Sequence, residues 1–277
     1  MRDQPDLLGL PGKTAIVTGA GSRGAGIGNG RAAAILLARA GARVAIVDVQ
    51  RDAAEATLEH IRGEGGNAGV FVADVSDEDE VSDCVSAVVE EFGGVDILVN
   101  NVGVTGPPGD AVAVSAKTWD EVMRINVASM MLMAKNCIPI MATRGGGAIV
   151  NVSSIVGVAG GHPTLVYPTS KGAVISLTKA MAAHHGHQNI RVNSVAPGLV
   201  FTPLVEGDGM PDELRRQRRE IASLPIEGTG WDVGSAVLFL ASPAARWITG
   251  VVLAVDGGLS ARIPIFSPAA AYREPVS

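Results

Sequence analysis

Cysteine is almost missing from this 277-residue chain; Cys84 and Cys137 are the two, and both fall inside helical patterns. Their separation matches neither a disulfide framework nor a metal-ligand spacing, so they are expected as buried thiols. No uninterrupted apolar run reaches eighteen residues, which argues against a transmembrane helix even though 47% of the residues are apolar. The opening MRDQPDLLGLPG has no signal-peptide core, which points to the cytoplasm. Charge of one sign is also scarce. A net charge of -6, interspersed along the chain, argues against nucleic acid or an anionic membrane as a partner. No repeat, linker or low-complexity stretch marks a boundary, so residues 1–277 are expected to form one domain with a core at about 10–260. Residues 261–277, ending in RIPIFSPAAAYREPVS, suit either an arm packed on a neighbouring subunit or a disordered tail.

What is present is a regular alternation. Apolar runs begin at Thr14, Arg43, Val70, Asp96, Ala148, Ile190 and Val251, with helical patterns such as GRAAAILLARAGA and DEDEVSDCVSAVVEEFG between them. Seven strands alternating with helices imply a doubly wound α/β (Rossmann) fold, a parallel sheet covered on both faces. The 35 glycines gather partly at strand ends, where a ligand must approach the backbone.

The first strand runs into TGAGSRGAGIGNGRAAAILLA. Such a turn lets the backbone approach a pyrophosphate, whose charge is stabilised by the free amides of the following helix. Gly19 anchors it, and Ser22, Arg23, Ile27 and Asn29 are candidates for phosphate or ribose contact; Arg23 also suits a solvated loop charge. The second strand ends at Asp48, where a carboxylate accepts hydrogen bonds from ribose hydroxyls and repels a 2′-phosphate, selecting NAD over NADP. The same residue also suits a helix N-cap, and Arg23 and Arg51 would partly offset the repulsion. The third strand ends in Ala73, Asp74 and Val75, with Asp74 or Ser76 also placed to cap the helix that follows.

The richest stretch is VSSIVGVAGGHPTLVYPTSKG, residues 152–172. Tyr167 and Lys171 are four apart, which on a helix stacks them on one face. Bringing a phenol from about 10 to near 7 takes about 4 kcal/mol of preference for phenolate, and an ammonium about 4 Å away supplies roughly that at an effective dielectric of about 20. Ser154, thirteen residues before Tyr167 at the end of AIVNV, can hold a substrate oxygen near the phenol. A Tyr and a Lys share a helix face by chance in many proteins, so the pair gains its meaning from this context.

These segments together resemble the short-chain dehydrogenase/reductase family over about residues 10–260. The glycine turn is similar to the family's TGxxxGxG but longer. Either Gly26, Ile27 and Gly28 or Gly28, Asn29 and Gly30 match its second half. Asn100, Asn101, Val102 and Gly103 resemble NNAG with valine for alanine; Asn101, Val102 and Gly103 would then line the cofactor trough. By the same resemblance, Asp74 and Val75 contact the adenine. In the segment from Pro197 through Gly198 to Thr202, the backbone near Val200 and the Thr202 hydroxyl fix the nicotinamide carboxamide; taken alone, it reads as a Pro/Gly turn. Asn126 matches the family's helix asparagine, whose main-chain carbonyl holds a water of the proton relay; a lone mid-helix asparagine is otherwise commonly exposed. VDGG at residues 255–258 is a further match.

The resemblance implies NAD-dependent hydride transfer between a secondary alcohol and a ketone. Tyr167 acts as acid/base, Ser154 holds the substrate oxygen, and Lys171 supports the phenolate and the nicotinamide ribose. It also implies a homotetramer or homodimer. The alternative reaction on the same fold is reduction of an imine or an activated double bond; the family's enoyl reductases typically use a wider Tyr to Lys spacing, which argues against the activated double bond. Loss of catalysis to a dinucleotide-binding scaffold would leave the phenol without a purpose. Small and apolar residues in segments 105–114, 155–165 and 205–224 favour a cyclic or hydrophobic alcohol. His162 lies on the loop bordering that pocket, as substrate contact or plain loop residue. Arg215, Arg216, Arg218 and Arg219 either meet an anionic substrate or form a solvated face offset by Glu213 and Glu220. His184, His185 and His187 lack nearby carboxylate or cysteine ligands, and no metal is expected.

Overall fold

The computed structural model describes residues 7–261, except Arg23, Ala25, Asp208 and the side chains of Leu204 and Glu206. The expectations for Arg23 and for the C-terminal arm or tail therefore lie outside the described residues. Seven strands form one sheet: β1 (Thr14–Thr18), β2 (Arg43–Asp48), β3 (Asn67–Val72), β4 (Ile97–Asn100), β5 (Gly147–Val152), β6 (Ile190–Pro197) and β7 (Val252–Val255). Their order is β3-β2-β1-β4-β5-β6-β7 and every pairing is parallel. The chain reverses its direction of growth between β1 and β4, the place where open α/β sheets hold ligands at the carboxyl ends of their strands.

Burial on both faces explains the near-continuous apolar runs. On β1, Ala15 and Val17 face one core with Val44 and Ile46 of β2, while Ile16 faces the other with Ala45 and Val47. Helices α1 (Asn29–Arg39) and α9 (Gly230–Ala241) cover the first face. Their approach is close because α1 is alanine-rich and Gly234 has no side chain; a Cβ there would lie 3.0 Å from Ala32. On the second face lie α3 (Glu78–Phe92), α5 (Ser129–Thr143) and α6 (Val166–His185). Each fully buried Ile, Leu or Met of these clusters contributes about 1.5–3 kcal/mol. Cys84 and Cys137 belong to this second cluster, and burial pushes the Cys84 thiol up to about 11 and raises Cys137 further.

Two elements differ from the sequence pattern. β3 starts at Asn67, before the apolar run at Val70, because Asn67, Ala68 and Gly69 pair in register with Arg43, Val44 and Ala45. Helix α4 (Ala116–Met123) continues through a π-turn at Arg124–Ala128 into α5, so the span Ala116–Thr143 runs as one helix with an internal widening. That span is long and apolar enough by composition to cross a membrane, yet half of its most apolar stretch is buried within the fold. The remaining helices are α2 (Arg51–Gly63), α7 (Pro203–Glu206) and α8 (Asp212–Ile221).

Candidate active site

At the carboxyl ends of the strands lies a trough of about 470 Å³ that collects most of the expected residues. Gly19, Ser22, Asn29, Asp48, Asp74, Val75, Asn101, Val102, Gly103, Ser154, Tyr167, Lys171, Pro197, Gly198, Val200 and Thr202 all line it. Ile27 does not; it packs against the hydrophobic core. An apolar side chain at the base of a buried helix gains more from that core than from an exposed phosphate edge.

The glycine turn resolves into one register. Helix α1 begins at Asn29, capped by Gly28, and a Cβ on Gly30 would lie 2.1 Å from the Gly19 carbonyl oxygen. Gly30 is therefore the close-packing glycine, and Gly28, Asn29 and Gly30 form the second half of the motif. Gly19 sits at φ +60, where a side chain is strained. The inserted residues bulge toward α7, since a Cβ on Gly26 would meet Pro203 at 2.5 Å. Ser22 Oγ and Asn29 Oδ1 are buried beside this turn without a hydrogen-bond partner among the described residues. Unpaired polar atoms in such a position are costly, and a hydroxyl donor beside free helix amides fits a pyrophosphate.

Asp48 Oδ2 accepts from the Gly21 amide at 2.9 Å and Oδ1 from the Gln50 amide at 3.0 Å. The N-cap of α2 is Gln50, not Asp48. Asp74 Oδ1 accepts from the Ser76 hydroxyl and amide at 2.5 and 2.9 Å, and those bonds, with Arg124 nearby, outweigh burial and hold its carboxyl below the ordinary value. Neither Asp74 nor Ser76 caps α3: Asp77 does, accepting from the Asp79 and Glu80 amides at 3.0 Å. Asp77 stands directly before the helix, where an N-cap oxygen reaches the N2 and N3 amides.

Asn126 is fully buried within the π-turn. Its Oδ1 accepts from the Val104 amide at 2.7 Å, and its Nδ2 donates to the Val104 carbonyl at 2.8 Å and to Ser170 Oγ at 2.9 Å. The side chain is spent on holding the β4 loop to α6, so any proton relay here would use the main chain. π-turns of this kind commonly mark functional sites.

Ser154 lies two residues past the end of β5, capping the short turn Ile155–Gly157, and α6 carries Tyr167 and Lys171 past it. Lys171 Nζ lies 5.8 Å from the centre of the Tyr167 ring and donates to the Val152 carbonyl at 2.9 Å. Ser153, which the sequence pattern passed over, donates from Oγ to the Lys171 carbonyl at 2.8 Å, and Gly157 packs so close that a Cβ would sit 2.7 Å from that same carbonyl carbon. Burial pushes Lys171 down from 10.5 to about 8. Burial likewise raises the Tyr167 phenol above 10.0, opposed by hydrogen bonding with Ser154. The expectation that one ammonium brings the phenol down is therefore not met by these side chains alone, because the dry site that strengthens the attraction also disfavours both charges.

Around this centre, the His162 ring lies 5.0 Å from that of Tyr167, with Nδ1 accepting from the Thr164 amide at 3.2 Å. The α8 arginines do not face the trough. Arg216 pairs with Glu213 and Glu220, Arg215 pairs with Glu227 and stacks over Phe201, and Arg218 and Arg219 line a separate cavity of about 350 Å³ behind Val200. A Cβ on Gly198 would meet Asp256 at 2.5 Å, which is how the VDGG segment supports the trough. His184 and His185 end α6 and His187 follows in a short turn, with His185 Nδ1 2.8 Å from Gln188 Oε1.

Fold and site together define a dinucleotide-binding oxidoreductase, and comparison with known proteins gives it a family. A family model described as enoyl-(acyl carrier protein) reductase matches residues 23–260. The chain is 37% identical over 249 residues to cis-4-hydroxycyclohexanecarboxylate dehydrogenase of Sinomonas cyclohexanicum, covering 90% of this chain and 97% of that one. It is 36% identical over 252 residues to a 3-oxoacyl-(acyl-carrier-protein) reductase of Thermotoga maritima, covering 90% and 98%. A solved structure of 7α-hydroxysteroid dehydrogenase, complexed with NADH and 7-oxo glycochenodeoxycholic acid, matches with a TM-score of 0.86 at 34% identity, covering 92% of this chain and 97% of that one. The protein belongs to the short-chain dehydrogenase/reductase family.

Proposed function

We propose that the protein is an NAD-dependent dehydrogenase that interconverts a cyclic or hydrophobic secondary alcohol and its ketone. The observation that carries this reading is the convergence of Ser154, Tyr167 and Lys171 on the same trough as Asp48 and the Gly28–Gly30 turn. On this reading the proton-transfer group and the dinucleotide share one trough.

Ser22, Asn29 and the α1 amides would hold the pyrophosphate, Asp48 the adenosine ribose, Asp74 and Val75 the adenine edge, and Val200 and Thr202 the carboxamide. Thr202 stands at the start of α7 without making a capping bond, which leaves its hydroxyl for this role. Bound there, the oxidised dinucleotide supplies a hydride acceptor and a second positive charge. Ser154 orients the substrate hydroxyl, Tyr167 takes its proton in oxidation and returns it in reduction, and Lys171 favours the phenolate. The Asn126 main chain would carry the relay onward. Relatives that act on a hydroxycyclohexane acid and a hydroxysteroid support a cyclic substrate. A homotetramer or homodimer in the cytoplasm, with the whole chain as one domain, belongs to the same proposal.

The test is formation of reduced nicotinamide from NAD and from NADP across cyclic, steroid-like, sugar and aromatic secondary alcohols. Turnover that prefers NAD and disappears in Tyr167→Phe is expected. Preference for NADP would overturn the role of Asp48, and tight NAD binding with no turnover would favour a scaffold. The description of the matching family model supports one rival reading, reduction of an activated double bond. The four-residue interval from Tyr167 to Lys171 weighs against it, and an enoyl thioester in the same panel decides it.

A further inference from the structure

Arg31 follows the glycine turn and is 6% exposed, which is unusual for a charged side chain. Its guanidinium is shared among separate pieces of the chain. Nε donates to Thr57 Oγ1 at 2.9 Å, Nη1 to the Gly26 carbonyl at 3.0 Å, and Nη2 to the Ala53 carbonyl at 3.2 Å. Thr57, fully buried on α2, passes its own proton to the Ala20 carbonyl at 2.9 Å. One cation thereby ties the bulged glycine turn, the first turns of α2 and the residue after Gly19 into a single unit. Burial lowers its pKa, and the charge that opposes this is Asp48.

The glycine turn borders the carboxylate expected at the adenosine ribose through Gly21, whose amide donates to Asp48 Oδ2 at 2.9 Å. A Cβ on Gly21 would lie 2.8 Å from Asp48 Oδ2 and 2.8 Å from Ala53 Cβ. Gly21 is thus packed between Asp48 and Ala53, and Arg31 holds Ala53 by its carbonyl and the turn by Gly26. Burying a guanidinium is costly unless its donors are satisfied and a counter-charge is near. Here the satisfied donors and the nearby carboxylate serve the geometry of one wall.

We propose that Arg31 is a positioning residue for ribose recognition, locking the lengthened glycine turn to α2 so that Asp48 is presented to the 2′-hydroxyl and discriminates against a 2′-phosphate. The proposal rests on the reading of the trough as an NAD site.

It is tested by direct binding of NADH, NADPH and ADP-ribose to the full chain by calorimetry, with no substrate needed. The wild type comes first: tighter binding of NADH than NADPH is required by the underlying reading, and its absence overturns that reading before any variant is measured. Arg31→Lys keeps the charge but cannot reach all three acceptors. It is expected to weaken NADH and ADP-ribose about tenfold while changing NADPH by less than about threefold. Thr57→Val removes one acceptor by a milder change and is expected to shift the NADH to NADPH ratio in the same direction by a smaller factor. Equal weakening of both dinucleotides would assign Arg31 a merely structural role, and unchanged binding in both variants would remove it from recognition altogether.

Discussion

The two edges of the sheet follow opposite rules. At the amino ends of the strands, Asp96 is 4% exposed and accepts from Lys13 Nζ at 3.0 Å, the Thr14 amide at 3.0 Å and Arg144 Nη2 at 3.2 Å. Burial works to raise its pKa, but these partners outweigh it and the carboxyl stays below its ordinary value. At the carboxyl ends, Ser22 Oγ, Asn29 Oδ1 and Asn100 Oδ1 are buried without partners among the described residues, and Lys171 is an ammonium whose charge burial disfavours. The amino edge satisfies its buried carboxylate and leaves one buried nitrogen, Arg43 Nε, without a partner among the described residues. The carboxyl edge leaves three buried oxygens in that state, beside the trough where a ligand would meet them, in line with the usual opposition between stability and activity.

The contrast is broken most sharply at Tyr167. Tyr167→Phe is expected to lower turnover about a thousandfold or more, the scale of a lost general acid/base, while its melting temperature and NADH affinity stay near wild type. A large loss of stability instead would place Tyr167 with the structural edge. Asp96→Ala tests the opposite end. Denaturant unfolding is expected to show a loss of about 2–3 kcal/mol, with NADH affinity unchanged. Because the folded carboxyl is held low, the stability it contributes is present above the ordinary carboxylate range and is lost as pH falls through the folded value. The variant should therefore show a shallower acid limb.

Lys171→Met sharpens the comparison through a change of sign. The difference between 10.5 and about 8 corresponds to a burial penalty of about 3 kcal/mol. That penalty is full below pH 8 and is relieved as pH rises toward 10.5, because the unfolded chain binds the proton more tightly over that window. The variant also strips the Val152 carbonyl of a donor, so a net gain of about 1–2 kcal/mol at pH 7 is expected, together with a large loss of turnover. Stability that fell at pH 7, or that kept the wild-type slope between pH 8 and 10, would contradict the assignment. The smallest effect belongs to Ser22→Ala, where removing an unpaired buried hydroxyl is expected to leave stability within about 0.5 kcal/mol while weakening NADH several-fold by calorimetry.

Much of this arrangement is legible in the sequence. The seven apolar runs located the seven strands, because a parallel strand buried on both faces leaves a continuous signature, and the spacing of Tyr167 and Lys171 placed both on one helix and in one trough. The boundary of β3 was not legible, since Asn67, Ala68 and Gly69 join the sheet through backbone pairing with β2. Nor was the inward position of Ile27, or Asp77 as the cap in place of Asp74 and Ser76. These choices depend on which of several near neighbours in sequence finds a cavity or an amide within reach. Arg31, Ser153 and Ser170 carry no distinctive local pattern; their partners lie on other elements, 26, 18 and 44 residues away in the bonds to Thr57, Lys171 and Asn126.

By itself, then, the sequence determined the doubly wound fold, the family and the spacing that brings Ser154, Tyr167 and Lys171 to one trough, because periodicity and short spacings along one strand or helix are local properties. Tertiary structure decided the register of the lengthened turn through the 2.1 Å gap between a would-be Gly30 side chain and the Gly19 carbonyl. It turned Arg218 and Arg219 away from the trough, and it set the balance of charge at Tyr167 and Lys171. Those outcomes depend on desolvation and on contacts between distant segments, which exist only once the chain has folded.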